Sequence, residues 1–197
     1  MPLRLPVKVH NSRDATAHGQ ASLVVDGAHF QQIVRQGILR ATVSIDVLTA
    51  DFKAMLVPDA SIGSRRRAPS IVEIFRNLAR RGVEIRLLHS GVPSSAALRE
   101  LCGRIPRGLT IRRCPRLHSK AVIIDCQRMY VGSANLTGAG LGAKADGRRN
   151  FELGLWTSAS ALIDSVLEQF NTLWEGARCS TCKRRNVCPV PLEEPRL

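Results

Sequence analysis

A histidine, a lysine and an asparagine lie close together in one short stretch of the chain. The stretch begins at His118 and reads H-x-K-x4-D-x6-G-S-x-N. One residue separates His118 from Lys120, so on a strand both side chains would face the same side and could reach one phosphate group. Histidine can attack phosphorus or protonate a leaving oxygen, and lysine can balance the charge of the phosphate oxygens. These residue types at this spacing predict cleavage of a phosphodiester.

The remaining residues of the stretch fit the same chemistry. The amide of Asn135 can donate hydrogen bonds to phosphate oxygens, and Ser133 adds a hydroxyl donor. Gly132 has no Cβ and allows a close approach of the backbone. Asp125 follows Lys120 by five residues, at the far end of the predicted strand, so we expect it to be structural rather than catalytic. One chain offers one such histidine, so we expect two chains to share the site.

The whole pattern resembles the signature of the phospholipase D superfamily, over about residues 24–175. Its single copy is similar to the small nuclease branch, whose members work as homodimers without a catalytic metal. The resemblance implies that His118 is the nucleophile in one chain, forming a phosphohistidine, and the general acid in the other. It implies that Lys120 and Asn135 bind phosphate. It also implies that Glu152, at the start of a later strand, orients the histidine through its second ring nitrogen.

A glycine-rich loop at residues 137–149 connects Asn135 to Glu152, so both of its ends lie at the site. Three basic residues lie in it, Lys144, Arg148 and Arg149. We interpret the loop as a flap that binds substrate. A solvated loop with incidental charges is the alternative.

Strands and helices that could position these residues alternate along the chain. Apolar patterning predicts helices at residues 27–40, 69–81 and 94–101 and a closing helix lined by Leu162, Val166, Phe170 and Leu173. It predicts strands at residues 41–48, 83–88, 109–113, 120–125, 129–131 and 151–157. The alternation predicts an α/β fold with a mixed sheet flanked by helices, as in phospholipase D. We divide the chain into an extended lead-in (1–23), a catalytic domain (24–176) and a cysteine-containing tail (177–197).

The charge of the chain indicates its partner. The chain carries 29 Lys plus Arg against 16 Asp plus Glu, a net charge of +13, and 24 of the basic residues are arginine. Arginine binds phosphate through a planar fork of donors, so we expect a nucleic acid, with an anionic membrane surface as the rival. No apolar run approaches the ~18 residues of a membrane span, and the N-terminus lacks the apolar core of a secretory signal. We therefore expect a cytoplasmic protein with no membrane anchor.

Three cysteines in the tail form the pattern C-x2-C-x5-C-P at Cys179, Cys182 and Cys188. In an intracellular protein this spacing favours a structural metal over disulfides, and it resembles the C-terminal cysteine staple of iron–sulfur nucleases of the exonuclease-helicase type. Zinc and a 4Fe–4S cluster both fit, and a tail with free thiols is the alternative. Candidates for a fourth ligand are Cys102, Cys114 and Cys126. Strand directions place the tail and Cys114 at the same end of the sheet, so we expect Cys114.

These observations favour a homodimeric endonuclease acting on DNA or RNA. A place in a bacterial defence system, or in a larger defence or helicase complex, is an expectation from the resemblance alone, because some family members serve such systems. A phospholipid-directed phosphodiesterase or transferase is the first alternative, and the sequence offers no membrane-docking segment for it. A non-catalytic nucleic-acid-binding accessory subunit is the second, and the intact set of His118, Lys120, Asn135 and Glu152 argues against it.

Overall fold

The computed structural model describes residues 20–58, 68–91, 94–101, 105–184, 186 and 188. Its strands are β1 (Ala21–Val25), β2 (Ser44–Thr49), β3 (Glu84–His89), β4 (Leu109–Arg113), β5 (Ala121–Ile124), β6 (Arg128–Gly132) and β7 (Leu153–Thr157). Its α-helices are α1 (Ile71–Arg80), α2 (Ser95–Leu101) and α3 (Ser160–Trp174). The start of the lead-in, Cys102 and the tail beyond residue 188 lie outside the described residues.

The strands form one seven-stranded sheet in the order β1-β7-β6-β5-β2-β3-β4. The pairs β2·β3 and β3·β4 are parallel, and the other pairs are antiparallel, which confirms the predicted α/β fold with a mixed sheet. The strand β1 was not predicted: it begins in the lead-in, which we expected to be merely extended up to residue 23, and crosses the boundary that we placed there. Its pairing partner is β7, more than a hundred residues away, and local patterning carries no trace of that contact.

The segment 27–40 differs from its predicted single helix. It forms a π-helical turn at Phe30–Arg35 and a 3-10 turn at Ile38–Arg40. Gly37 separates the two, and a Cβ there would lie 2.5 Å from both the Ile33 carbonyl oxygen and Ile124 Cδ1. The backbone therefore approaches the sheet too closely for a continuous helix with side chains on every face.

Helices cover the sheet on both faces. The predicted apolar stripe of α1 is buried, and the Ser70 hydroxyl caps the helix by accepting from the Glu73 N–H at 3.1 Å. On α3, Phe170 and Trp174 pack near Leu48 and Leu88 of the sheet. Burying each such large side chain contributes about 1.5–3 kcal/mol. Within the described part of the chain, no helix is long and apolar enough to cross a membrane.

Several strands begin or end at the same end of the sheet, and we call this end, formed by strand termini, the site edge. Leu48 near the end of β2 is paired with Ala121 at the start of β5, and Gly132 at the end of β6 is paired with Gly154 of β7. The parallel strand β4 ends at the same edge. The segments that precede β5, follow β6 and precede β7 therefore meet there.

Candidate active site

His118 and Lys120 lie side by side just before β5. The Lys120 Nζ donates to the backbone oxygen of His118 at 2.7 Å. It also lies 3.4 Å from His118 Nδ1 and 3.3 Å from Nε2, so the ammonium is close to both ring nitrogens. The histidine side chain is exposed. A phosphate that contacts the exposed ring can therefore reach the ammonium as well.

Asn135 follows β6 and is held by the end of β2. Its Oδ1 accepts from the backbone N–H of Ala50 at 3.0 Å and of Asp51 at 3.1 Å. Because an N–H pairs only with an acceptor, these two bonds define which end of the amide is the oxygen. The Nδ2 group is thereby left to donate, as a phosphate-binding amide requires.

Glu152 is buried beside the same edge, directly before β7. One carboxylate oxygen accepts from the Ser133 hydroxyl, and the other accepts from Asn150 Nδ2 at 2.9 Å. Both carboxylate oxygens therefore accept hydrogen bonds from residues other than His118. The orientation of the histidine by Glu152 stays a prediction. Asn150 was not predicted as a site residue, although its spacing of two from Glu152 was the available signal, since such residues share one side of an extended chain.

A buried tyrosine and histidine support the loop that carries Ser133 and Asn135. The Tyr130 oxygen accepts from the Ala134 N–H at 3.0 Å and lies 3.0 Å from His29 Nε2. His29 Nδ1 lies 2.8 Å from the Asp26 carbonyl oxygen, so in the neutral ring Nδ1 donates to it and Nε2 accepts the tyrosine proton. Burial raises the pKa of Tyr130 to about 12, with the Glu152 charge adding to the effect and the Ala134 N–H opposing it. Sequence reasoning missed this network.

Two paired glycines make room for that tyrosine. A Cβ at Gly132 or at Gly154 would overlap the Tyr130 side chain. The sequence predicts a close approach of the backbone at Gly132. The structure shows that the close approach at Gly132 is made by Tyr130 and by the backbone of β7.

Asp125 lies at the opposite edge of the sheet, in the turn after β5. Its carboxylate accepts from the backbone N–H groups of Thr42, Val43 and Ser44 at 2.7–3.1 Å, and from the Thr42 hydroxyl. Partial burial raises its pKa, but these hydrogen bonds outweigh burial and hold the pKa below its usual value. Asp125 thus holds the beginning of β2, far from His118.

A cleft of about 530 Å³ lies beside Asn135 under the basic loop. Lys144 and Arg148 line it, as does Lys53, which sequence reasoning did not single out. Arg149 lies elsewhere: its guanidinium pairs with Asp146 and contacts Gly27, so the structure does not bring it into this cleft with the other two.

A second cleft, of about 640 Å³, lies on the other side of His118. The four cysteines predicted as ligands line it, Cys114, Cys179, Cys182 and Cys188. Arg116 hydrogen-bonds the Cys182 thiol and lowers its pKa, and Arg184 Nη1 donates to the Pro115 oxygen at 3.2 Å. Within the described ranges, no three His, Cys, Asp or Glu side chains are arranged as ligands of a bound metal. Cys126 is exposed in the turn beside Asp125, away from this cleft.

The fold has relatives among solved structures. NucT from Helicobacter pylori superimposes with a TM-score of 0.58 at 16% identity, over 78% of this chain and 94% of that one. The phospholipase D family member Nuc from Salmonella typhimurium gives a TM-score of 0.56 at 22% identity, over 79% and 95%. No protein with a curated description matches the sequence significantly. The family model described as "Cardiolipin synthase, PLD-like domain" matches residues 34–174, and the chain therefore belongs to the phospholipase D superfamily, as its motif predicted.

Proposed function

We propose that the protein is a nuclease that cleaves phosphodiesters of DNA or RNA as a homodimer and without a catalytic metal. One observation carries the proposal: the exposed ring of His118 lies beside the Lys120 ammonium, at the sheet edge where Asn135 presents its amide. A nucleophile, a cation and a neutral donor can then act on one phosphate.

The reaction has two steps. A His118 ring nitrogen attacks phosphorus, the bond from phosphorus to the leaving oxygen breaks, and the second chain's histidine gives that oxygen a proton. A water molecule then attacks the phosphohistidine, loses a proton to the second histidine, and breaks the bond from phosphorus to nitrogen. Lys120 and Asn135 balance the charge that gathers on the phosphate oxygens, a role that a metal ion fills in other nucleases.

Cations line one cleft beside Asn135 and another beside His118, and both favour a polyanionic substrate. Lys53, Lys144 and Arg148 line the cleft beside Asn135. Arg116 and Arg184 line a further recess next to His118. With a net charge of +13, this arrangement suits a backbone that continues past the reacting phosphate in both directions.

An apolar patch beside the site supports the proposal that a second chain completes it. Leu23, Val25, Phe151 and Leu153 form it, and we call it the edge patch. Val25 and Leu153 are paired across β1 and β7 and so share one face, while Phe151 is 96% exposed. Buried Glu152 lies between Phe151 and Leu153. A second copy that covers this patch would bring its own residues to the site edge, where one chain lacks a second histidine.

Activity on labelled single- and double-stranded DNA, RNA and phosphatidylcholine, all in EDTA, tests the proposal. We expect nucleic acid to be cleaved in the chelator, and His118→Ala to lower the rate by at least about 10³-fold while leaving the fold intact by circular dichroism. An obligatory need for Mg²⁺ would contradict the mechanism. Binding of nucleic acid without cleavage would instead indicate an accessory subunit.

A lipid phosphodiester is the second candidate substrate, because the description of the matching family names cardiolipin synthase. Cleavage of phosphatidylcholine but not of any nucleic acid would favour it over the nuclease.

A further inference from the structure

The end of α3 is fixed to the sheet at the site edge, and this determines where the tail emerges. Arg112 Nη1 donates to the Trp174 carbonyl oxygen at 2.7 Å, and its guanidinium carbon lies 4.5 Å from the centre of the Trp174 ring. Arg86 Nη1 donates to Asn171 Oδ1 at 3.0 Å. The residues after Trp174 are therefore delivered next to the segment that carries His118.

Both cysteine-bearing segments form turns in this region. In the tail, the Cys179 N–H donates to the Gly176 oxygen at 2.8 Å, and the Cys182 N–H donates to the Cys179 oxygen at 3.2 Å. At the end of β4, the Cys114 N–H donates to the His89 oxygen at 2.8 Å, and the Leu117 N–H donates to the Cys114 oxygen at 2.9 Å. Each turn presents its thiols to the same cleft.

Three of the thiols also share one apolar cluster. Cys114, Cys179 and Cys188 pack against the group that contains Leu117 and Phe170. Cys182 lies on the cleft wall beside them, hydrogen-bonded to Arg116. Two segments that are 65 residues apart, counted from Cys114 to Cys179, thus bring four sulfur atoms to one volume of about 640 Å³.

We propose that Cys114, Cys179, Cys182 and Cys188 are the four ligands of one structural metal centre that ties the tail to the segment before His118. Four thiolates select a soft metal in tetrahedral geometry, which is zinc or a 4Fe–4S cluster. No step of the proposed phosphodiesterase chemistry passes through this centre, so the proposal is independent of the proposed function.

The charges around the cleft fit such a centre. Four thiolates carry four negative charges, so with Zn²⁺, or with a cluster core of charge +2, the site has a net charge of −2. Arg116, Arg178 and Arg184 line the same cleft and would compensate it. Metal binding releases the protons of those thiols that are still protonated, so the affinity for the metal should fall as the pH falls.

Loading also requires a local rearrangement. The described cysteines are not arranged as the ligands of a metal ion, and the Cys182 thiol is hydrogen-bonded to Arg116. The turn at Cys179 to Cys182 and the turn at Cys114 to Leu117 would close around the metal, as is usual where metal binding is coupled to local folding.

Metal analysis of the full chain, purified without oxygen, tests the centre directly. We expect about one zinc ion, or about four irons and four sulfides, per chain. Cys182→Ser and Cys114→Ser should each weaken metal binding by at least about 10–100-fold and lower the Tm. Cys126→Ser is the matched control, because this thiol lies at the opposite edge of the sheet, and it should keep the full metal content.

Alkylation of the native wild-type protein gives a second readout that needs no variant. The four cleft thiols should react only after a strong chelator removes the metal, whereas Cys126 should react at once. Absence of zinc, iron and sulfide would overturn the proposal, as would a disulfide among the four. If Cys114→Ser keeps its metal while Cys102→Ser or Cys126→Ser loses it, the assignment of Cys114 is wrong.

Discussion

Single polar side chains, one of them fully buried, hold the motif in shape without contacting its proposed phosphate. Tyr130 contacts His29 and the Ala134 N–H, and Asp125 gathers three N–H groups at the beginning of β2. Each of these residues would leave several polar groups unpaired if its oxygen were removed. The residues that bind and the residues that support are therefore separate sets, although they alternate along the same short segment.

Tyr130→Phe tests the supporting role at the level of one oxygen atom. The change keeps the ring but leaves the Ala134 N–H and His29 Nε2 without their partner, so we expect a loss of about 1–3 kcal/mol in the free energy of unfolding. Urea denaturation measures it. The control is Ser165→Ala, which removes an exposed hydroxyl bonded to the Ala161 oxygen and should change stability by less than about 0.5 kcal/mol. Equal effects of the two variants would contradict the supporting role.

The sequence predicted the motif residues but not their supports, and the reason is physical. His118, Lys120 and Asn135 follow a local spacing that the chemistry itself requires. His29 meets Tyr130 across 101 positions, and Lys53 reaches the cleft only because β2 ends beside Asn135. Such contacts exist only after the sheet has formed, so no local pattern reveals them. Arg149 is the opposite case, a local contact that the sequence analysis missed. Its charge fitted the predicted flap, but it pairs with Asp146 in the same loop.

At the level of elements, the amphipathic helices and strands β2 to β7 were predictable from the sequence, and the edge strand β1 was not. The stripe of α1 and the apolar runs of β2, β3, β4 and β5 are set by burial, which repeats along the chain. β1 and the broken helix at residues 27–40 depend on distant partners, β7 in one case and Ile124 of β5 in the other. The paired glycines of β6 and β7 belong to the same class, because the Tyr130 side chain and the backbone of the partner strand explain them.

Gly154→Ala tests how tightly β6, β7 and Tyr130 pack. The new methyl group would overlap the Tyr130 ring, so we expect a loss of about 1–3 kcal/mol in stability and a displaced Glu152. Gly147→Ala is the matched control, since a Cβ there has no neighbour within 4 Å, and it should be neutral or stabilising by up to about 1 kcal/mol. Thermal unfolding of both variants measures these changes in stability. An unchanged stability of Gly154→Ala would show that β6 and β7 can move apart without cost.

For the whole molecule, the proposed homodimer has a direct test. Mixing wild-type chains with an equal amount of His118→Ala chains, under conditions of exchange, should reduce the wild-type activity to about half, because random pairing places half of the active chains with inactive partners. Rates measured before and after exchange provide the comparison. A fully active monomer in sedimentation would refute the shared site.

A charge placed in the edge patch tests the proposed homodimer in a second way. Leu153→Lys should shift the sedimentation equilibrium towards monomers and lower activity at dilute protein, because it places a charge in the proposed contact. Leu162→Lys alters a leucine of similar exposure on α3, 47% against 53%, and should leave association unchanged.

The position of β1 has a consequence for the order in which the molecule becomes active during synthesis. Among the strands that the structure describes, β1 pairs only with β7. The Asp26 carboxylate accepts from the Glu152 N–H, and the Asp26 N–H donates to the Glu152 oxygen, each at 2.9 Å. The ribosome makes Val25 before Thr157, with a delay of roughly 7–26 s at about 5–20 residues per second. β1 must therefore wait for β7, and the backbone of Glu152 is bonded to Asp26 only after both segments have been made. A truncated chain that carries His118 and Lys120 but ends before β7 lacks the pairing partner of β1, and we expect it to be inactive.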